Sequence, residues 1–270
     1  MAIKYNIQGL FIYATMGLYL FAFFVKLARH NKIARKLFFL GFIASLLSVI
    51  YRAVNVSHIP MQNLFEVFLC LGMLIYPIYL FAREFWKTDK EAFDMILGFI
   101  FLFPSGFIFS DAGEHLPPAL QSPLFGPHVA VYMLGYIFMA KAAYYSACNI
   151  YKYSKLNSLD ELSADFKRER TIIYNMIQAG FPLLTAGLLL GSIWGKLAWG
   201  HYWNWDPKEL WSLASWLVYV GYFHYRYIYP DKRGFLAENL FVLIGFAFIV
   251  ITLIWVNLSS AFSGLHSYAF

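Results

Sequence analysis

Hydrophobic residues along this chain gather into long unbroken runs, and polar residues gather into the short joints between them. Runs of membrane-crossing length fall at about 6–25, 37–54, 63–81, 93–110, 127–150, 174–193, 209–227 and 238–257. A helix rising about 1.5 Å per residue crosses a hydrocarbon core of about 30 Å in roughly 20 residues. The pattern therefore predicts eight transmembrane helices and an all-α polytopic membrane protein. Pro104 and Gly106 are expected to bend the fourth helix, and Pro182 with Gly180 and Gly187 to kink the sixth or let it pack closely. The longest polar joint, Lys152 to Arg170, mixes charge signs and suits a short helical hairpin or loop.

The joints alternate in charge. Those after the first, third, fifth and seventh runs hold sixteen Lys and Arg residues: Lys26, Arg29, Lys32, Arg35 and Lys36; Arg83, Lys87 and Lys90; Lys152, Lys155, Lys167, Arg168 and Arg170; Arg226, Lys232 and Arg233. The opposite side has four, Lys4, Arg52, Lys196 and Lys208, with Lys141 left inside the fifth run and expected to snorkel inward. Basic joints stay in the cytoplasm, so both termini are expected on the non-cytoplasmic side. That sorting places His58, His115, His128, His201 and His266 outside, and His30 and His224 near the inner face.

Composition agrees with this picture and narrows it. Of 270 residues, 60% are hydrophobic and only 13% charged, which leaves no room for a sizeable soluble domain; residues 1–270 read as one transmembrane domain. The net charge of +6 lies in the joints, as topology requires, and gives no reason to expect nucleic acid. Cys70 and Cys148 lie in apolar runs and belong to no CxxC or CxxCH motif, so the chain lacks a c-type heme attachment site of its own. The first run has one lysine before it and several basic residues after it, the reverse of a secretory signal, and is kept as a membrane span.

Residues 194–216, WGKLAWGHYWNWDPKELWSLASW, hold six of the eight tryptophans. Indoles favour the membrane–water boundary and offer flat apolar area with one donor each. An external segment at 194–209 is thus a candidate platform for a flat amphipathic ligand such as a porphyrin. The same stretch writes a helix start: Asp206 can cap, Pro207 suits the first helical position, and Glu209 completes a capping box. Capping and a direct ligand role for Asp206 both remain open.

WGHYWNWDPKELW followed by WLVYVGYFH closely resembles the tryptophan-rich signature of heme-handling proteins, in the form found in CcsA (ResC), the membrane subunit of the system II cytochrome c synthetase. The resemblance is sharp over about 194–224 and at two histidine motifs, GPHVAVYMLGY and GLHSY. It implies that His128 and His266 are external ligands of heme iron and that His224 receives heme within the membrane. Trp194, Trp199, Trp203, Trp205, Asp206, Lys208 and Trp211 would surround the porphyrin, with Lys208 or Lys196 facing its propionates. Read from the residues alone, His128 opens the fifth helix, where the positive helix end keeps an imidazole neutral and available to metal. His266 lies in the external tail at 258–270, on the side of the tryptophans. His224 follows Asp206 by eighteen residues, about 27 Å of helix, so one helix would join an outer site to an inner one.

A second stretch, RAVNVSHIPMQNLFE, also resembles the family; there Asn63 can cap the third helix, and Glu66 inside it needs a partner such as Arg52. His58 and His115 read as loop residues, His201 as a polar surface residue and His30 as part of a basic joint. The resemblance implies heme b as substrate and transient ligand, and covalent attachment to CxxCH thiols of an apocytochrome c. It further implies a CcsB (ResB) partner, possible thiol-reducing proteins, and a bacterial inner or thylakoid membrane. A heme exporter without attachment activity, or an electron-carrying membrane cytochrome b, are the alternatives.

Overall fold

A computed structural model describes residues 3–113, 121–155, 164–229 and 234–255. Every regular element among them is helical: α1 (Ile7–Leu27), α2 (Asn31–Val56), α3 (Leu64–Trp86), α4 (Glu91–Phe107), α5 (Phe125–Tyr153), α6 (Ala164–Trp199), α7 (Pro207–Ile228) and α8 (Phe235–Val250), which runs on into a π-helical turn, Ile251–Trp255. The eight hydrophobic runs thus become the eight helices, as an apolar medium demands when each backbone must satisfy itself. By length and composition α1, α2, α3, α6 and α8 with its π-turn can each cross a membrane. At 17 residues α4 is shorter than these.

The sixth helix differs most from its hydrophobic run. It extends 36 residues, about 54 Å by helical rise, because Trp194–Trp199 holds no proline and Gly195 keeps a helical backbone, so the chain turns only at Gly200. Gly200 then adopts φ 83°, a left-handed conformation suited to glycine, and its amide bonds the Lys196 carbonyl at 3.1 Å. Trp194 and Trp199 are therefore helical, and only residues 200–206 form the irregular link. Of the long polar joint, residues 152–153 and 164–170 are helical as the ends of α5 and α6, and the hairpin or loop expected between them falls largely on 156–163, outside the described residues.

The chain forms two compact units, residues 1–121 and 122–270. In the first, α1 packs on α2 and α4, and α3 on α4 and α2. Tyr19 is wholly buried between positions where helices come close: a Cβ on Gly41 or Gly98 would lie 2.5 or 2.6 Å from its ring, and its hydroxyl donates to the Gly72 carbonyl at 3.1 Å. In the second, α5 packs on α6 and α8, and α7 on α8 and α6. Lys141 does not snorkel: with α6 and α8 packed against α5, its side chain is enclosed at 1% exposure.

In the first unit Asn63 caps α3 through the Glu66 amide at 2.9 Å, and Glu66 is completely buried beside Arg52. Arg52 Nε donates to Glu66 Oε1 at 2.9 Å, Glu66 Oε2 accepts the Gln62 amide at 2.9 Å, and the guanidinium also reaches the Asp111 carbonyl at 2.6 Å. His58 sits at the edge of this network, Nε2 3.9 Å from Glu66 Oε1. Removing one member of a buried ion pair strands the other and costs about 3–5 kcal/mol, whereas removing both costs far less. Glu66→Ala should thus lower the detergent-solubilised melting temperature more than the double variant Arg52→Met/Glu66→Met; equal losses would show that the pair is not coupled.

Candidate functional site

The site grows from the junction of α5 and α6. His128 lies in the first turn of α5, where its amide bonds the Leu124 carbonyl at 3.1 Å. Its ring nitrogen Nδ1 lies 2.9 Å from the carbonyl oxygen of Gly187 on α6. A carbonyl only accepts, so Nδ1 carries the proton and, in the neutral ring, the lone pair belongs to Nε2. Trp194 stacks on the imidazole, with centroids 5.8 Å apart and planes 29° from parallel, and Tyr132 meets it edge-on at 5.1 Å. Behind this, Phe125 and Trp199 pack on Trp194 at 5.2 and 4.8 Å. Trp194 is 1% exposed, so it serves as a wall behind His128.

Two glycines make this arrangement fit. A Cβ on Gly187 would approach the Tyr132 ring to 2.7 Å, and one on Gly191 would approach His128 Cε1 to 2.6 Å. Tyr132 is in turn hydrogen-bonded to Ser212 of α7. Sequence reasoning recognised Gly187 only as a packing residue and did not single out Gly191 or Tyr132. The signal was there, as glycines four residues apart on α6 facing rings four residues apart on α5, but the pairing of the two helices is needed to read it.

The irregular link carries the rest. Trp203 and Trp205 meet edge-to-face at 5.9 Å and 87°. Trp205, at φ 57°, is 66% exposed, while Trp203 Nε1 is buried and has no hydrogen-bond partner among the described residues. Trp211 turns to Phe248 of α8 at 5.1 Å, and Trp216 donates to Thr185 Oγ1 at 2.9 Å. The indoles accordingly do not form one flat bed; they meet at steep angles, as the charge distribution of aromatic rings favours. His201 is exposed in the link.

At the start of α7 the predicted capping box is complete. Asp206 Oδ1 accepts the Lys208 amide at 2.9 Å, Glu209 Oε2 accepts the Asp206 amide at 3.2 Å and the Asn204 amide at 2.8 Å, and Pro207 occupies the first turn. Lys208 precedes the apolar part of α7; burial pulls its ammonium down to about 8, against the opposing pull of the Asp206 carboxylate. Toward the other end of α7, His224 is exposed, and its Nδ1 lies 2.8 Å from the Val220 carbonyl, which again assigns the lone pair of the neutral ring to Nε2. His115 and His266 lie outside the described residues. Among the described residues no three His, Cys, Asp or Glu side chains gather as a protein-only metal site.

A polytopic helical protein with an imidazole backed by tryptophan at a helix–helix seam, beside a tryptophan-rich link, is the class that fold and site define. The chain belongs to the cytochrome c assembly protein family, whose pattern matches residues 30–266. Relatives named cytochrome c biogenesis protein CcsA include those of Heterosigma akashiwo, 27% identical and aligned over 82% of this chain and 80% of the relative. The Guillardia theta relative is 29% identical over 87% of each chain, and that of Prochlorococcus marinus strain MIT 9515 is 30% identical over 82% and 79%. Among solved structures, cytochrome c heme lyase CcmF superposes with a TM-score of 0.70 at 18% identity over 94% of this chain. The chain spans about half of that protein's length, 48%, and the likeness is one of fold.

Capping and ligand contact at Asp206 separate by experiment. Asp206→Ala should cost about 1 kcal/mol of stability through the lost cap, and Asp206→Asn, which keeps an acceptor, only a few tenths. Should Asp206→Asn melt like the wild type yet lose bound heme in absorption spectra, the carboxylate touches the ligand as well as the helix end.

Proposed function

We propose that the chain is the heme-delivering and heme-attaching membrane subunit of a cytochrome c synthetase. The observation that carries this is His128, held by Gly187 and backed by Trp194 so that Nε2 is the nitrogen fitted to ligate iron. Heme iron takes imidazole nitrogen, and a porphyrin needs apolar rings with cations or donors at its rim, so the residues present suit ferrous heme b as substrate. His266 supplies the second external ligand from the tail. His224, exposed on α7, presents Nε2 to heme held within the membrane, the second ligand there coming from a CcsB (ResB)-type partner. Trp199, Trp203, Trp205 and Trp211 lie along the path to the outer edge, with Trp194 behind the ligand. Lys208 and the buried Trp203 Nε1 face the propionates, and a carboxylate beside Lys208 draws its pKa back up.

Heme supplies two vinyl groups, and the attachment is an addition: each S–H of a reduced CxxCH motif adds across a vinyl C=C, its sulfur forming the thioether bond and its proton ending on the other carbon, with no net oxidation. The chain's part is positional. Two imidazoles orient the ring, and the histidine of the arriving apocytochrome c displaces one of them. Thiol-reducing proteins keep the substrate cysteines reduced. The site faces the periplasm of a bacterial inner membrane or the lumen of a thylakoid, the sidedness that the basic joints favour.

Coexpression with a ResB-like partner and a reporter apocytochrome, followed by heme staining of denaturing gels, tests the reading. The wild-type chain should yield covalent heme; His128→Ala and His266→Ala should each abolish it, and added imidazole should restore it. Undiminished covalent heme in both variants would refute axial ligation by these residues.

A further inference from the structure

We infer that Gly191 is a positioning residue: its missing side chain is the socket that seats the His128 ring on α6 and so aims the iron-binding nitrogen. This rests on the reading that His128 ligates heme iron.

A Cβ at position 191 would fall 2.6 Å from His128 Cε1, 2.9 Å from Nδ1 and 3.5 Å from Nε2, inside the space the ring occupies. The ring has little freedom to yield. Its Nδ1 is hydrogen-bonded to the Gly187 carbonyl, its face is stacked on Trp194, and Tyr132 abuts its edge while itself lying over Gly187. In an α-helix the carbonyl of residue 187 also accepts the amide of residue 191. The imidazole reaches the second lone pair of that carbonyl beside the Cα of residue 191. A methyl there blocks the approach, so the ring must turn about its Cβ–Cγ bond and give up the bond that sets which nitrogen carries the lone pair.

Gly180, at the same seam, lacks that consequence. A Cβ on Gly180 would meet the terminal methyl of Met139 at 2.9 Å, the movable end of a flexible side chain. Gly180→Ala therefore crowds the same helix pair without touching His128.

The test uses the full chain coexpressed with its ResB-like partner and reporter apocytochrome, with covalent heme and the absorption spectrum of the purified complex as readouts and imidazole as the probe. His128→Gly should lose covalent heme and the low-spin bis-imidazole spectrum, and imidazole should restore both by filling the vacated socket. In His128→Gly/Gly191→Ala the methyl meets no native ring, so it adds no clash to the single variant, yet it occupies the place of the free imidazole. Restoration should then need at least roughly tenfold more imidazole, as modest overpacking implies. Gly191→Ala alone should shift the axial-ligand spectrum, and Gly180→Ala should keep it.

Equal rescue of the single and double variants, or a spectrum equally disturbed by Gly180→Ala, would overturn the socket. A His128→Gly complex with unchanged heme spectrum and attachment would instead remove the ligand reading itself, and the socket's role with it.

Discussion

The second unit depends on how closely α5 and α6 approach. At Gly180, Gly187 and Gly191 an ordinary Cβ would run into a side chain of α5, and Gly135 returns the close fit from the other side, where a Cβ would lie 3.1 Å from Leu184. Between membrane helices the hydrophobic effect supplies little attraction, because lipid tails are as apolar as leucine; small residues gain van der Waals contact and bring backbones within reach of side chains. Here the gain is specific. A backbone carbonyl of one helix becomes the hydrogen-bond partner of a histidine on the other.

That bond joins the packing of the unit to the imidazole on which the proposed heme ligation rests. A carboxylate partner would raise the basicity of the imidazole strongly and bring a charge into an apolar seam; a helix carbonyl orients the ring at lower electrostatic cost. The tryptophans divide the remaining work. Trp194 and Trp199 are part of α6 and brace the histidine, Trp203 and Trp205 belong to the link, and Trp211 and Trp216 hold α7 against α8 and α6.

Much of this could be read from the chain before its structure. Eight hydrophobic runs mark the eight helices, the Asp206–Pro207–Glu209 pattern marks the start of α7 with its capping box, and the buried position of Glu66 requires Arg52. These features are local, or are forced by the cost of a lone charge. The features that escaped depend on which helices touch. Trp194–Trp199 carry both interfacial and helical character, and only Gly200 decides where the helix stops. Lys141 looks able to reach the interface until α6 and α8 close around it. A glycine whose value lies in a histidine sixty-three positions earlier in the chain has no signature in one sequence.

The length of α6 sets a last constraint. At about 54 Å it exceeds a hydrocarbon core of about 30 Å, so part of it must stand in the headgroup layers or beyond. The distance from Arg170, near one end, to the indoles at the other is a fixed ruler of helical rise. Lipids of another thickness can tilt this rod but cannot shorten it, and the imidazole tied to its flank moves along with it.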